Sequence, residues 1–242
     1  MNRARIALEP AFILARRPYR DTSLLIEAYT RNHGRIGLVA RGVRGPRSSR
    51  SALLQPLTPL LLSWIEGGEL GTLTTVEGDG PALPLKGEGI FCAWYVNELL
   101  LNLLQRHDPH PGLYQDYAAT LAALSSLPPE PLLRGFEMRL LGEIGYGLNL
   151  DQEFDPAAEY IYDWENGPRL APAGAHTLSG SCLVSLRDSR LSNPADLSAA
   201  RRLLREAIRR QLNGRELQTP RLLRELRRQQ IEEPSGNAPD QD

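Results

Sequence analysis

The sequence predicts an α+β chain, with a small Greek-key β-barrel first and a mainly helical unit after it. Two changes along the chain carry that expectation. Between residues 11 and 80 short apolar segments alternate with period two, and from residue 90 onward apolar residues recur at helical spacing. Between them lies PALPLKGEG at 81–89, rich in Pro and Gly, where a linker is expected. The predicted organisation is a β-barrel domain at 1–80, a linker at 81–89 and a helical domain at 90–231. The helical domain would carry an irregular acidic insertion at about 148–192, and 232–242 would be a disordered tail.

Each strand has its own signal. Residues 11–16 form an apolar strand that ends in a basic turn with Pro18. In 23–30, Leu24, Ile26 and Ala28 fall on one face and Leu25, Glu27 and Tyr29 on the other. Asn32-His33-Gly34 suits a tight hairpin, because Asn and Gly accept positive φ. In 35–41, Ile36, Leu38 and Ala40 oppose Arg35, Gly37, Val39 and Arg41. Residues 58–65 and 69–77 make a second hairpin around Gly67-Gly68. Five short strands in so few residues point to a Greek-key barrel, with an SH3-like barrel as the nearest competitor. The first ten residues, MNRARIALEP, have no apolar h-region and so no secretory signal.

The helical half reads as follows. Residues 90–105 are apolar almost all round, as in a central bundle helix, and Asn97, Glu98 and Asn102 argue against a membrane span. Leu113, Tyr117, Leu121 and Leu124 mark a second helix, and Leu133, Phe136, Leu140 and Ile144 a third that stops at Gly145-Tyr146-Gly147. Residues 148–192 are irregular, with a small β element expected at 160–164. Asn193 and Pro194 are an N-cap and first-turn pair for a helix over 194–212, and a last helix is expected over 220–230.

Charge is distributed unevenly. Residues 1–50 hold 11 arginines against three acids, residues 51–200 hold seven bases against 19 acids, and residues 201–242 hold ten bases against seven acids. Six arginines and no acid lie between Arg31 and Arg50, a field suited to a polyanion. Arginine forks donate paired hydrogen bonds to phosphate oxygens, so Arg35, Arg41, Arg44, Arg47 and Arg50 are the expected nucleic-acid contacts. Tyr19 and Tyr29 are the candidates for base stacking, although each suits core packing as well. Arg201, Arg205 and Arg209, at spacing i, i+4, form a second basic face that suits either solvent or a supplementary contact. Arg134 and Arg139 border apolar residues and would suit an acidic peptide with an apolar end.

Other chemistry has little support. Cys92 and Cys182 read as buried free thiols, and no His or Cys spacing fits a metal site. No nucleophile elbow, phosphate loop or His-Glu-x-x-His motif is present, so no enzyme, catalytic residue, metal or cofactor is expected. The acids between Asp151 and Glu165 read as a solvated loop.

The segments RPYRDTSLLIEAYTRNHGRIGLVARGVRG (17–45), LLQPLTPLLLSW (53–64), YVNELLLNLL (95–104), RGFEMRLLGEIGYGLNL (134–150) and TPRLLREL (219–226) resemble the RecO family of bacterial DNA repair and recombination mediators. The resemblance runs from about residue 11 to 228. It implies an N-terminal OB-fold, binding of single- and double-stranded DNA, and annealing of complementary strands. It further implies work with RecR to load RecA onto DNA coated by single-strand-binding protein. By position it implies a role for Arg134 in holding that protein's acidic C-terminal tail, and a cytoplasmic, nucleoid-associated location. Many relatives hold a four-cysteine zinc motif in the region of 148–190, where this chain has only Cys182, so the resemblance implies no zinc here. The competing reading is an RNA- or ribosome-associated OB-fold adaptor without a repair role, which should lack the helical half of the match.

Overall fold

The computed structural model describes residues 4–44, 50–172 and 177–222. Five strands form the first unit: β1 (Arg5–Tyr19), β2 (Ser23–Thr30), β3 (Gly34–Ala40), β4 (Pro59–Ile65) and β5 (Gly71–Gly78), with the one-turn helix α1 (Arg50–Leu53) between β3 and β4. They close into a barrel in the order β1-β2-β3-β5-β4, with β4 pairing back onto β1. All pairings are antiparallel except β3 with β5, through Leu38↔Gly71 and Val39↔Thr72. This is the OB-fold arrangement, and it removes the exposed sheet edges.

The predicted alternation holds through β2 and β3. Leu24, Ile26, Ala28, Ile36, Leu38 and Ala40 all join the barrel's interior core, with Ala11, Ile13, Leu60, Leu62 and Trp64 from β1 and β4. Gly34 takes the positive φ of 65° in the β2–β3 turn, whereas Asn32 does not. Asn32 instead anchors the turn to β1, donating from its backbone N–H and its Nδ2 to the two oxygens of Glu9 at 2.6 and 3.1 Å.

The N-terminal strand is longer than the sequence predicts. It starts at Arg5, because residues 5–12 find β4 as a partner along the Arg5↔Ile65 to Phe12↔Pro59 register. Against β2, β1 carries a bulge between Ile13 and Ala15. The extra residue, Leu14, is turned out of the barrel into the helical unit's core.

The helical unit contains α2 (Glu88–Leu103), α3 (Pro111–Ala123), α4 (Pro129–Glu143), α5 (Gly180–Arg187) and α6 (Pro194–Gln211). A three-stranded sheet in the order β7-β6-β8 is built from β6 (Glu159–Asp163), β7 (Gly167–Leu170) and β8 (Leu178–Ser179). Asn193 caps α6 as expected, its Oδ1 accepting from the Ala195 N–H at 2.8 Å with Pro194 in the first turn. The sequence gives no signal for α5. It is short, and Ser179 caps it by accepting from the Cys182 N–H. Helix is present over 218–222, and the rest of the expected last helix and the tail lie outside the described residues. Glu98, read as a break in an apolar run, accepts from the backbone N–H groups of Gln218 and Thr219 at that helix's start. Cys92 and Cys182 are free and buried, and burial pushes the Cys182 thiol up to about 11.

The acids of 151–165 are partly engaged in local turns. Asp163 Oδ1 accepts from the Glu165 and Asn166 N–H groups and shapes the β6–β7 hairpin, which holds its carboxyl below the ordinary range. Asp155 does the same for the Ala157 N–H.

The barrel and helices share a core. Phe12, Leu14 and Tyr29, from the barrel's outer face, pack with Tyr114, Tyr117 and Phe136. The Phe12 and Tyr117 rings meet edge to face with centroids 5.0 Å apart, and Tyr29 lies 5.5 Å from Tyr114. Asn97 closes the seam: its Nδ2 donates to the bulge carbonyl of Leu14 at 3.1 Å, and the Tyr117 hydroxyl donates to its Oδ1 at 2.6 Å. At the β2–β3 end the turn after α2 docks on the barrel, with the His107 N–H donating to the Arg35 carbonyl at 2.9 Å. A Cβ on Gly34 would stand 2.2 Å from the Asp108 carbonyl oxygen, so only glycine allows this approach.

Candidate nucleic-acid interface

The exposed arginines of the barrel gather at one end of it. The pairing of Tyr19 with Ser23 closes β1 and β2 through a three-residue loop, 20–22, in which Arg20 takes a positive φ of 51°. The turn leaving β3 sits beside this loop and is fastened to it twice. The Arg44 N–H donates to the Thr22 carbonyl at 2.9 Å, and Arg44 Nη1 donates to the Arg20 carbonyl at 3.1 Å. Helix α1 is tied to β1 through Arg16, which donates to the Ser51 carbonyl at 3.2 Å and to Gln55 Oε1 at 2.7 Å. Arg16, Arg17, Arg20, Arg41, Arg44 and Arg50 thus converge from four chain segments, all with exposed or half-exposed side chains. Among the described residues, Arg17, Arg20, Arg41 and Arg44 make no ion pair. Uncompensated guanidinium groups on tethered loops are what a phosphate backbone can use, since little ordering remains to be done on binding.

This placement sorts the residues chosen from sequence. Tyr19, Arg41, Arg44 and Arg50 are brought together here, with Arg41 one residue past the end of β3 rather than within it. Arg47 lies outside the described residues. Tyr29 is a correction: its ring is fully buried against Tyr114 and Tyr117, and its hydroxyl donates to the His110 carbonyl at 3.2 Å, so no base can reach it. The alternation placed Tyr29 on the outer face, but the helical unit covers that part of the face.

Arg35 is also corrected. It lies towards the β2–β3 end and pairs with Glu27 at 3.3 Å, each side chain being 18% exposed. Arg106, from the turn after α2, binds the same carboxylate. Burial lowers the Arg35 guanidinium's affinity for its proton, Glu27 restores it in part and Arg106 lowers it again. Arg35 therefore already shares a carboxylate with Arg106. The arginines that sequence reasoning left out, Arg16, Arg17 and Arg20, were visible as the basic turn around Pro18, but only the register of β1 against β2 brings them beside Arg41 and Arg44.

On the helical unit, Arg134 is a correction as well. It is 4% exposed, donates to Glu137 Oε1 at 2.6 Å, and lies 3.7 Å from Glu130. Glu137 is buried too and also accepts from the Tyr95 hydroxyl at 2.7 Å. Burial pushes the Glu137 carboxyl above its ordinary value, while Arg134 and Tyr95 pull it back. Arg134 is thus held within α4, by a Glu137 that Tyr95 of α2 also engages, and its guanidinium is buried. Arg139 is 40% exposed and pairs with Asp116 at 3.0 Å. On α6, Arg201 pairs with Glu130 at 2.9 Å and Arg209 with Glu206 at 2.7 Å, which leaves Arg205 as the exposed member of that face without an ion pair among the described residues. No described helix is long and apolar enough to cross a membrane.

Comparison with known proteins agrees with this architecture. The family described as Recombination protein O N terminal matches residues 4–80, and the one described as Recombination protein O C terminal matches residues 85–221. The chain is 44% identical to the DNA repair protein RecO of Nitrosococcus oceani, over 93% of this chain and 95% of that one. It is 40% identical to the DNA repair protein RecO of Aromatoleum aromaticum, over 93% and 98%. It is 44% identical to that of Alkalilimnicola ehrlichii, over 94% and 95%. With both halves matched and the barrel-then-helices order observed, the chain belongs to the recombination protein O (RecO) family of DNA repair proteins.

Proposed function

We propose that this protein is a non-enzymatic recombination mediator that binds single- and double-stranded DNA, anneals complementary strands and, with RecR, helps load RecA onto DNA coated by single-strand-binding protein. The observation that carries the reading is the cluster of Arg17, at the end of β1, with Arg20, Arg41 and Arg44 on two loops fastened to each other, none of them in an ion pair among the described residues. Two phosphate backbones repel each other. A compact set of cations that engages both lowers that repulsion and lets bases pair, and such contacts carry little sequence preference. The acidic stretch 51–200 restricts where DNA can lie and keeps it on this end of the barrel. Arg205 on α6 is the supplementary contact. An acidic tail of the single-strand-binding protein would be met at Arg139, by exchange with Asp116, and not at Arg134. The setting is the cytoplasm, at the nucleoid.

The test is annealing of short complementary oligonucleotides by the wild-type chain and by the triple variant Arg17→Glu, Arg41→Glu, Arg44→Glu. The variant should fold, bind either form of DNA at least about tenfold more weakly and anneal no faster than protein-free solution. A folded variant that anneals at the wild-type rate would move the DNA path elsewhere.

A further inference from the structure

The outer side of α2 is apolar where the open side of a surface helix is ordinarily polar. Ile90, Trp94 and Glu98 stand on one line of the helix at spacing i, i+4, i+8. Ile90 is 37% exposed and Trp94 39%, and Phe91 beside them is half-buried. The opposite side of the helix, through Ala93, Val96, Leu99 and Leu100, fills the shared core. A contiguous set of large apolar side chains on an open helix face marks a surface that meets another element.

Glu98 shows where that element comes from. Its carboxylate accepts from the Gln218 and Thr219 N–H groups at 2.5 and 2.9 Å, so the helix present over 218–222 begins on this same line, two turns from Ile90. Leu217, just before it, packs on the helical core, and Leu222 is exposed. The sequence continues Leu223-Arg224-Glu225-Leu226-Arg227-Arg228. At about 100° per residue Leu222, Leu223 and Leu226 fall in one stripe, and Arg224 and Arg228 fall on the opposite side. We propose that the outer face of α2 is the docking site of this chain's own residues 223–231, which continue the helix back along α2 and antiparallel to it.

The lengths agree. Trp94 lies four residues before Glu98 and Ile90 eight, about 6 and 12 Å along α2. Counted from Thr219, Leu223 comes level with Trp94, and Leu226 comes within a residue's rise of Ile90. The leucines then meet the apolar side chains of α2, and Glu98 fixes the register by holding the first turn. The arginines of the segment face outward, so the helical unit presents Arg224 and Arg228 to its surroundings in place of Ile90 and Trp94. A partner that needs the apolar face must displace the segment first. This docking is independent of how the barrel meets DNA.

The experiment is thiol crosslinking of the full chain with a short bis-maleimide. One variant carries Ile90→Cys with Leu226→Cys, and a companion carries Ile90→Cys with Arg224→Cys on the opposite side of the segment. Cys92 and Cys182 are buried, and the unsubstituted chain measures what they contribute. The first pair should join within one chain, seen as a faster-running monomer on denaturing electrophoresis, and the second should not. Joining between chains would give the face to a second copy, and joining of both pairs equally, or of neither, would deny the segment its seat. Each of these results overturns the proposal. A second measurement needs no added cysteine. In a chain whose only tryptophan is Trp94, Leu223→Glu with Leu226→Glu should shift the emission to longer wavelength and raise its quenching by acrylamide, with circular dichroism showing the chain still folded. Emission and quenching equal to those of the parent chain would overturn the docking as well.

Discussion

At the scale of single residues, the side chains that join the barrel to the helices are polar and buried. Asn97 is 1% exposed and serves both sides of the seam, donating a hydrogen bond to the Leu14 carbonyl and accepting one from the Tyr117 hydroxyl. Replacing it by alanine leaves a carbonyl and a hydroxyl without partners in a dry core, at about 1–3 kcal/mol for each orphaned group. Asn97→Ala should therefore lower the urea midpoint by the equivalent of several kcal/mol with an unchanged slope, and a midpoint within error of wild type would mean that water enters the seam. Such residues were poorly legible in the sequence. Asn97 and Glu98 read as interruptions of an apolar run, and Arg134 as a surface cation, because helical spacing assigns a face but not the neighbour that covers it. Arg134 is paired with Glu130 and Glu137 of its own helix, and Glu137 is held in turn by Tyr95 from α2.

At the scale of elements, legibility followed periodicity. β2, β3 and the hairpin between them could be read because alternate residues fill one barrel interior and Gly34 marks the turn. The start of β1 could not, since its partner β4 lies some fifty residues away, and α5 is too short for its period to register. The charge on the β2–β3 face shows the same limit. Arg35 looked free until Arg106, over seventy residues later, proved to share Glu27 with it. Glu27 thus bounds the basic end of the sheet, and neutralising it should extend that end. Glu27→Gln is expected to release Arg35 and Arg106, raise single-strand affinity and steepen the dependence of log K on log salt by roughly 0.7 for each phosphate newly engaged. If affinity and slope both stay at wild-type values in salt titrations, those two arginines lie off the DNA path.

At the scale of the whole molecule, the sequence suggests a barrel and a helical domain on a linker, and the structure shows two units with a common core. Phe12, Leu14 and Tyr29 leave the barrel to pack among Tyr114, Tyr117 and Phe136. Each such side chain contributes about 1.5–3 kcal/mol when fully buried, and a domain's entire stability is about 5–15 kcal/mol. Separated from its partner, the barrel would lose a large part of what holds it together and would expose a contiguous apolar patch. The two units should therefore unfold as one. Trp64 lies in the barrel and Trp164 beside the helical core, so fluorescence from variants keeping one tryptophan or the other reports on each unit separately. The two urea transitions should coincide with each other and with the loss of helical circular dichroism, as a two-state system requires. A helical transition completed before the Trp64 signal moves would show that the seam contributes little, and a fragment of residues 1–80 would then be soluble and folded. With the seam intact, that fragment should bind a hydrophobic dye and aggregate. The division of the β1–β2–β3 face into a covered and an open end is then a property of the folded whole rather than of the barrel.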